Sequence, residues 1–315
     1  MDGILIIDKP TGLTSHDVVA RSRRILQTKR IGHTGTLDPF ATGVMVILVG
    51  QATRLAQFLD RDAKEYAATV RLGFETDTGD RTGNPKAIQN SKFKIQKVEI
   101  ENILPDFRGE IWQTPPMYSA KKIAGKKLYE LARKGIEVER QPVKIKIYEI
   151  EILSQKNNLE FEIWNMESET SDSGLWTLDF GLKVCCSAGT YIRTLAEDIG
   201  KRLETGAHLV ALRRTRAGKF GIENAVTLEK LEELIGSGKL GKNLISPNEA
   251  VSHLPEIKLS ATVTIDVKNG KKLRAVLPEM QGEEFVRLTD EAENLIAVGV
   301  YNSTEKTVQP KVVLV

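Results

Sequence analysis

Cysteine is almost missing from this sequence: 315 residues contain two, Cys185 and Cys186, and they are adjacent. Neighbouring cysteines are poorly placed for an ordinary disulfide, so no disulfide framework is expected and a reducing cytoplasm is the expected location. Histidine is scarce as well. His16, His33, His208 and His253 are scattered, and no Cys or His pair has metal-ligand spacing, so no metal is expected. Nowhere do about eighteen apolar residues run together, which excludes a membrane-spanning helix. The opening MDGILIIDKP carries Asp2 and Asp8, lacks a basic leading region and has only a short apolar stretch. It predicts a first strand rather than a signal peptide. Walker and dinucleotide fingerprints are missing too, since the Gly-rich stretch 32–43 lacks the required Lys and Gly spacing.

What is present is ordinary globular material. Hydrophobic residues make up 41% and charged residues 28%, ample for a core, and the length favours two domains of unequal size. The net charge of +3 is small, but it is unevenly spread. Between Ser119 and Lys146 lie nine basic residues, among them Lys121 and Lys122, against three acids. That segment carries +6, leaving −3 for the rest. A concentrated basic patch on a mildly acidic protein points to a polyanionic partner, because Lys and Arg displace phosphate counterions. The plainer alternative is a solvated helix face.

Residues 3–7 read as a buried strand ended by the turn Asp8-Lys9-Pro10-Thr11-Gly12. Ser15 is expected to cap a helix carrying Val18, Val19, Ile25 and Leu26. Strands are expected at 44–49, 65–72, 144–153 and 176–187, with polar loops at 74–85 and 165–174. The basic segment has helical spacing through Leu128, Leu131 and Ala132. Ser187-Ala188-Gly189-Thr190 turns into a helix whose stripe is Ile192, Leu195, Ala196, Ile199 and Leu203. Another helix is expected near 228–235, before a Gly-rich linker at 236–241. From about Val251 short strands at 284–288, 295–301 and 308–315 predict a small β-rich domain.

The stretch GHTGTLDPFATGVM, residues 32–45, sets one carboxylate, Asp38, among three glycines. Asp before Pro is a good helix N-cap and first-turn pair, stabilising by about 1 kcal/mol. Capping does not explain the glycines, which let backbone approach another object closely. Arg193 is the second oddity. It sits in a first helical turn, where the dipole disfavours a cation by about a few tenths of a kcal/mol. Pairing with a carboxylate would make it useful and would keep that carboxylate ionised. Asp77-Thr78-Gly79 and Asp172-Ser173-Gly174 resemble an aspartic-protease dyad, but each follows polar residues rather than the apolar strand that would bury one.

Several motifs recur in order between residue 3 and about residue 221. They are Gly32-His33-Thr34-Gly35-Thr36-Leu37-Asp38-Pro39 with Ala41-Thr42-Gly43, then Lys64-Glu65-Tyr66, Pro115-Pro116 and Ser119-Ala120-Lys121. Gly189-Thr190-Tyr191-Ile192-Arg193-Thr194-Leu195 and Gly206-Ala207-His208-Leu209 with Leu212-Arg213-Arg214 follow. Together they resemble the tRNA pseudouridine-55 synthase family, often called TruB. The resemblance implies an α+β fold: a mixed, largely antiparallel central sheet with flanking helices, of the pseudouridine-synthase type. It implies an enzyme that isomerises the T-loop uridine at position 55 of tRNA after base flipping, with no cofactor, needing no protein partner and acting as a monomer.

On this resemblance Asp38 matches the catalytic aspartate that attacks the nucleoside, Arg193 its arginine partner, and Tyr66 the tyrosine that stacks on the base and takes part in proton removal. His33 matches the histidine filling the space left by the extruded base. Lys9 and Pro10 match a pair lining the pocket, and Leu212 an apolar wall. An insertion at about 115–142 matches an element that closes over the RNA. Residues 1–250 would form the catalytic domain and 251–315 a PUA-like RNA-binding domain. That tail holds eight basic and nine acidic residues, so any RNA contact there must rely on shape and a local patch. A tRNA-gripping protein without chemistry, and a subunit of an RNA-guided assembly, are the competing readings.

Overall fold

The computed structural model describes residues 1–86, 95–119, 121–123, 125–153, 168–170, 176–277, 279 and 281–314. Strand β1 (Gly3–Lys9) leads into helix α1 (Ser15–Ile25), and β2 (Ile31–Thr34) and β3 (Thr42–Val49) follow. The true N-cap of α1 is Thr14 rather than Ser15: its hydroxyl accepts from Asp17 N–H, and the Asp17 carboxylate accepts from Thr14 N–H, a reciprocal capping box. Ser15 is thereby free to hold another segment, described below.

A 3₁₀ turn at Gly50–Leu55 and the short α2 (Ala56–Leu59) lead to β4 (Lys64–Leu72). The stretch expected as a plain loop contains a two-residue hairpin, β5 (Glu75–Thr76) with β6 (Pro85–Lys86). Next come α3 (Lys97–Ile103) and β7 (Gly109–Gln113). The basic insertion then carries a second small hairpin, β8 (Lys122–Ile123) with β9 (Lys126–Lys127), and α4 (Leu128–Ala132). β10 (Val143–Ile152), β11 (Ser168–Thr170) and β12 (Trp176–Cys186) lead to α5 (Ile192–Arg202), β13 (Ala207–Ala217) and β14 (Phe220–Gly221). Of the loop expected at 165–174, only the three residues of β11 are described, paired with β12; the rest, including the second protease-like triplet, lies outside the described residues.

These strands form one ten-stranded sheet ordered β1–β3–β13–β4–β12–β10–β7, with β2 on β3, β11 on β12 and β14 on β13. All named pairs in it are antiparallel except β3 with β13, which meet only at Thr42↔Arg213 and Gly43↔Arg214, because β2 occupies the rest of that edge. β3 is almost wholly buried, as its apolar run VMVILV requires of a strand covered on both faces. One core packs α3 and α5 on β4, β12, β10 and β13. A second packs α1 and α6 (Leu228–Gly236) on one face of β1 and β3.

After α7 (Pro247–Ala250) a five-stranded sheet forms from β15 (Glu256–Lys258), β16 (Leu273–Arg274), β17 (Glu283–Thr289), β18 (Leu295–Asn302) and β19 (Thr307–Val313). It includes α8 (Ala261–Lys268), a helix not read from the sequence, with Ser260 at its N-cap position. This unit has its own core around Val286, Leu288, Tyr301 and Val308. It also shares one: Leu295, Val298 and Val312 pack with Ile4, Ile6, Leu55 and Phe58.

Candidate active site

Asp38 does not cap a helix. Asp38 to Ala41 is a tight turn, Ala41 N–H reaching the Asp38 carbonyl at 3.1 Å, with Pro39 in the position whose φ a proline presets. The turn is gripped from beneath by the β1–α1 connection. The Ser15 hydroxyl accepts from Leu37 N–H at 2.9 Å and donates to Leu37 C=O at 3.1 Å. Gly12 N–H reaches Pro39 C=O at 2.8 Å, and Thr11 donates to Phe40 C=O. Lys9, wholly buried, donates to the carbonyls of Pro10, Pro39 and Ala41 at 2.9, 3.2 and 2.6 Å. Burial pushes its ammonium down to about 8, opposed by the charge of Asp38.

Two of the three glycines now have reasons. Gly43, at φ +100°, lies so close to β13 that a Cβ would sit 2.2 Å from the Arg214 carbonyl oxygen. Gly35, at φ +66°, turns the chain and offers its carbonyl to Arg214 at 2.9 Å. Gly32 needs no such excuse, since a Cβ there would find ordinary space.

Arg193 opens α5, as the sequence indicated, and its guanidinium meets Asp38 through Nε at 2.9 Å and Nη2 at 3.2 Å. This two-pronged contact between residues 155 positions apart is the strong, orienting form of such a pair. The remaining donors go to Thr78 C=O at 2.9 Å and Tyr118 C=O at 2.6 Å. Asp80, almost buried, stands 3.8 Å away. Asp80 lies just after Asp77-Thr78-Gly79, so that triplet builds no dyad; it supplies Arg193 with a carbonyl and a second acid. The Asp38 side chain is 32% exposed, but it opens into a cleft walled by protein. Burial therefore pushes its carboxyl above the ordinary value of 3.8; Arg193 opposes the rise and Asp80 adds to it. Arg193 thus lowers the carboxyl, as expected of a paired cation, but burial outweighs it.

Asp38 and Arg193 line a cavity of about 640 Å³, within the roughly 300–1,000 Å³ usual for small-ligand pockets. Tyr66, His33 and Leu212 line it too, with Tyr191, Ser119, Lys64 and Arg214. Tyr66 sits on β4 between Val184 of β12 and Arg214 of β13. Burial pushes its phenol up, and the Arg214 cation opposes that. His33 packs edge-on to His16 at 5.8 Å, and burial followed by His16 pushes its imidazole down, keeping it neutral. Two residues expected to line the pocket are not among those that line the cavity: Lys9 supports the Asp38 turn from below, and Pro10 accepts from Lys9 through its carbonyl. Lys121 and Lys122 lie on the insertion, outside the cavity wall. The sequence reading missed Asp80, Tyr118 and Arg214; only the LRR run containing the last of these had stood out.

Residues 23–192 match the model of the TruB family pseudouridylate synthase N-terminal domain, and residues 193–251 that of the tRNA pseudouridylate synthase B C-terminal domain. The border between them falls in the first turn of α5, so Asp38 and Arg193 belong to different matched segments. The tRNA pseudouridine synthase B of Geobacillus thermodenitrificans is 45% identical over 284 residues, 90% of this chain and 89% of that protein. The protein of the same name from Solibacter usitatus is 39% identical over 300 residues, 95% of each. Among solved structures, a chain of a Cbf5–Nop10–Gar1 complex superposes with TM-score 0.72 at 27% identity, covering 99% of this chain and 85% of that one. A chain of an H/ACA RNP bound to a substrate RNA containing 2′-deoxyuridine gives 0.71 at 26%, with the same coverage. By sequence over nearly its whole length, and by fold, the chain belongs to the TruB family of pseudouridine synthases.

Proposed function

We propose that this chain isomerises uridine in tRNA to pseudouridine, acting on the T-loop uridine at position 55 with Asp38 as nucleophile. The single observation that carries this reading is the Asp38–Arg193 pair opening into a cavity that also holds Tyr66. Uridine buried in a stacked loop must first be extruded, at about a few kcal/mol, and held by stacking and polar contacts. Tyr66 and Leu212 supply the apolar walls. His33, neutral at the rim, is suited to slip into the gap the base leaves. Arg193 aims the carboxylate, and a covalent adduct splits one hard step into two easier ones. The base then turns and rejoins the sugar through carbon. Isomerisation changes no oxidation state, so these side chains suffice in principle.

Residues 1–250 would carry this chemistry. The insertion at about 115–142, with Lys121 and Lys122, would follow the phosphate backbone, and 251–315 would serve as the PUA-like RNA-binding unit. The fold likeness to chains of guided complexes favours one other reading, that this chain acts only within an assembly; its own basic insertion favours independent action. Purified chain alone, incubated with an unmodified tRNA transcript, is expected to leave a pseudouridine at the T-loop after pseudouridine-specific derivatisation. Asp38→Asn is expected to abolish product while tRNA binding persists, because Thr78, Tyr118 and Asp80 still hold Arg193. Turnover retained in that variant would remove the assignment.

A further inference from the structure

Arg214 has no task in the reaction as drawn so far, yet it is 1% exposed and reaches the cavity wall. On β13 it is the register partner of Gly43 on one side and of Tyr66 on the other. Nε donates to Val44 C=O at 2.6 Å and Nη2 to Gly35 C=O at 2.9 Å. The turn holding Asp38 is shaped around it at both ends: a Cβ on Gly35 would sit 3.2 Å from Nη1, and one on Gly43 would strike its backbone. As cross-strand partners the two side chains stand on the same face of the sheet and line the same cavity, and the Arg214 cation favours the ionised phenol against the effect of burial. A guanidinium only donates, so toward the phenol oxygen it can act only as a donor, which leaves the phenol's own proton free to point elsewhere.

We infer that Arg214 is a positioning residue acting through Tyr66: it aims the phenol at the extruded base and stabilises the phenoxide formed when that phenol gives up its proton. This rests on the pseudouridine-synthase reading and goes beyond it. Isomerisation moves one proton overall, from C5 of the ring to N1. When the Asp38 carboxylate bonds to C1′ and the glycosidic bond breaks, N1 keeps the electron pair and the phenol can protonate it. Rotation of the ring about its C6–N3 axis then carries C5 to the place N1 left. The C5=C6 pair then attacks C1′ and the bond to Asp38 breaks, its electron pair returning to the carboxylate; the phenoxide takes the C5 proton, and the C–H pair restores the ring double bond. Tyr66 ends as it began. The weak point of that cycle is a phenoxide in a buried site, beside Cys186 and Asp38, which both disfavour it. Arg214, paired with Tyr66 across the two strands, is the cation that favours it.

The test compares tRNA transcripts carrying 5-deuterouridine or ordinary uridine at the target, in single-turnover assays of the wild type, Arg214→Gln and Arg214→Lys. Both variants are expected to slow by on the order of 10- to 100-fold, part of the roughly 10²–10⁴ that acid–base groups contribute. Their turnover is also expected to show a primary isotope effect at C5–H at least as large as the wild type's. Slowing without an isotope effect would reduce Arg214 to scaffolding and overturn the inference, as would wild-type rates. Should Arg214→Gln fail to fold, Arg214→Lys keeps the charge while losing the fork and decides alone. A wild type that makes no pseudouridine defeats the functional reading instead, so the two failures are distinct.

Discussion

Asp38 stands between neighbours that pull its proton affinity in opposite directions. Burial and Asp80 raise it, and Arg193 lowers it, with the balance above 3.8. In the proposed reaction the nucleophile is the ionised form, present above the folded pKa and lost as pH falls through it. The acid limb of single-turnover rate against pH is therefore expected above 3.8. Asp80→Asn removes a like charge while keeping an oxygen for Thr78 and Thr82, which donate to it at 3.0 and 2.5 Å. It is expected to move that limb to lower pH; an unmoved limb would show that Asp80 exerts no field on Asp38. Gly43→Ala is expected to destabilise by about 2–4 kcal/mol in denaturant titrations, from strain at positive φ plus the clash with β13. Gly32→Ala, whose Cβ would make only an ordinary contact with the Thr53 side chain, should be within about 1 kcal/mol of wild type. Asp38 and Arg193 could each be singled out in the sequence because each broke a local rule. Asp80 broke none: a polar loop of Asp and Thr reads as solvated, and only folding turns those hydroxyls inward upon one carboxylate.

At the scale of elements, regular periodicity carried most of the information. α5 and α6 lie where their apolar stripes put them, and β3, β4, β10 and β12 agree to within a residue or two. The errors share a cause. Thr14 displaced Ser15 as the cap because a capping box needs Asp17 three residues on, while Ser15 was recruited by Leu37, 22 residues away. α8 escaped notice because ATVTIDVK is β-branched and reads as strand, its helical form being set by packing on β18 and β19. The insertion between β7 and β10 combines a small basic hairpin with a short helix, and Tyr118 at its root touches Arg193. Its proposed role in following phosphates predicts a salt effect. Lys121→Gln with Lys122→Gln should weaken tRNA binding and flatten the dependence of log affinity on log salt by about one unit for each phosphate that is no longer neutralised. An unchanged slope would mean these lysines face away from RNA.

For the molecule as a whole, composition and motifs point to two units but say nothing of the contacts between the N-terminal strands and the C-terminal sheet. Phe58 meets Phe285 of the C-terminal sheet edge-to-face at 5.1 Å, and Arg54 donates to Val313 C=O. The same segment places Ala56, Gln57 and Asp60 in the cavity wall, and Asp60 accepts from Gly35 N–H at 3.0 Å. The C-terminal sheet thus props one side of the site. Phe285→Ala, removing an aromatic pair worth about 0.5–1.5 kcal/mol beyond burial, is expected to lower turnover of an isolated T-arm hairpin as well as of full tRNA. A defect seen with full tRNA alone would assign Phe285 to RNA binding instead.

The two-residue parallel join between β3 and β13 has one more consequence. Asp38 is carried on one side of it, and Tyr66 and Arg193 on the other. While a ribosome is still making the chain, Asp38 and β3 emerge well before the strand that joins them to β4. Until Arg213 and Arg214 have followed and zipped against Thr42 and Gly43, a nascent copy lacks the seam that brings the two sides of the cleft together.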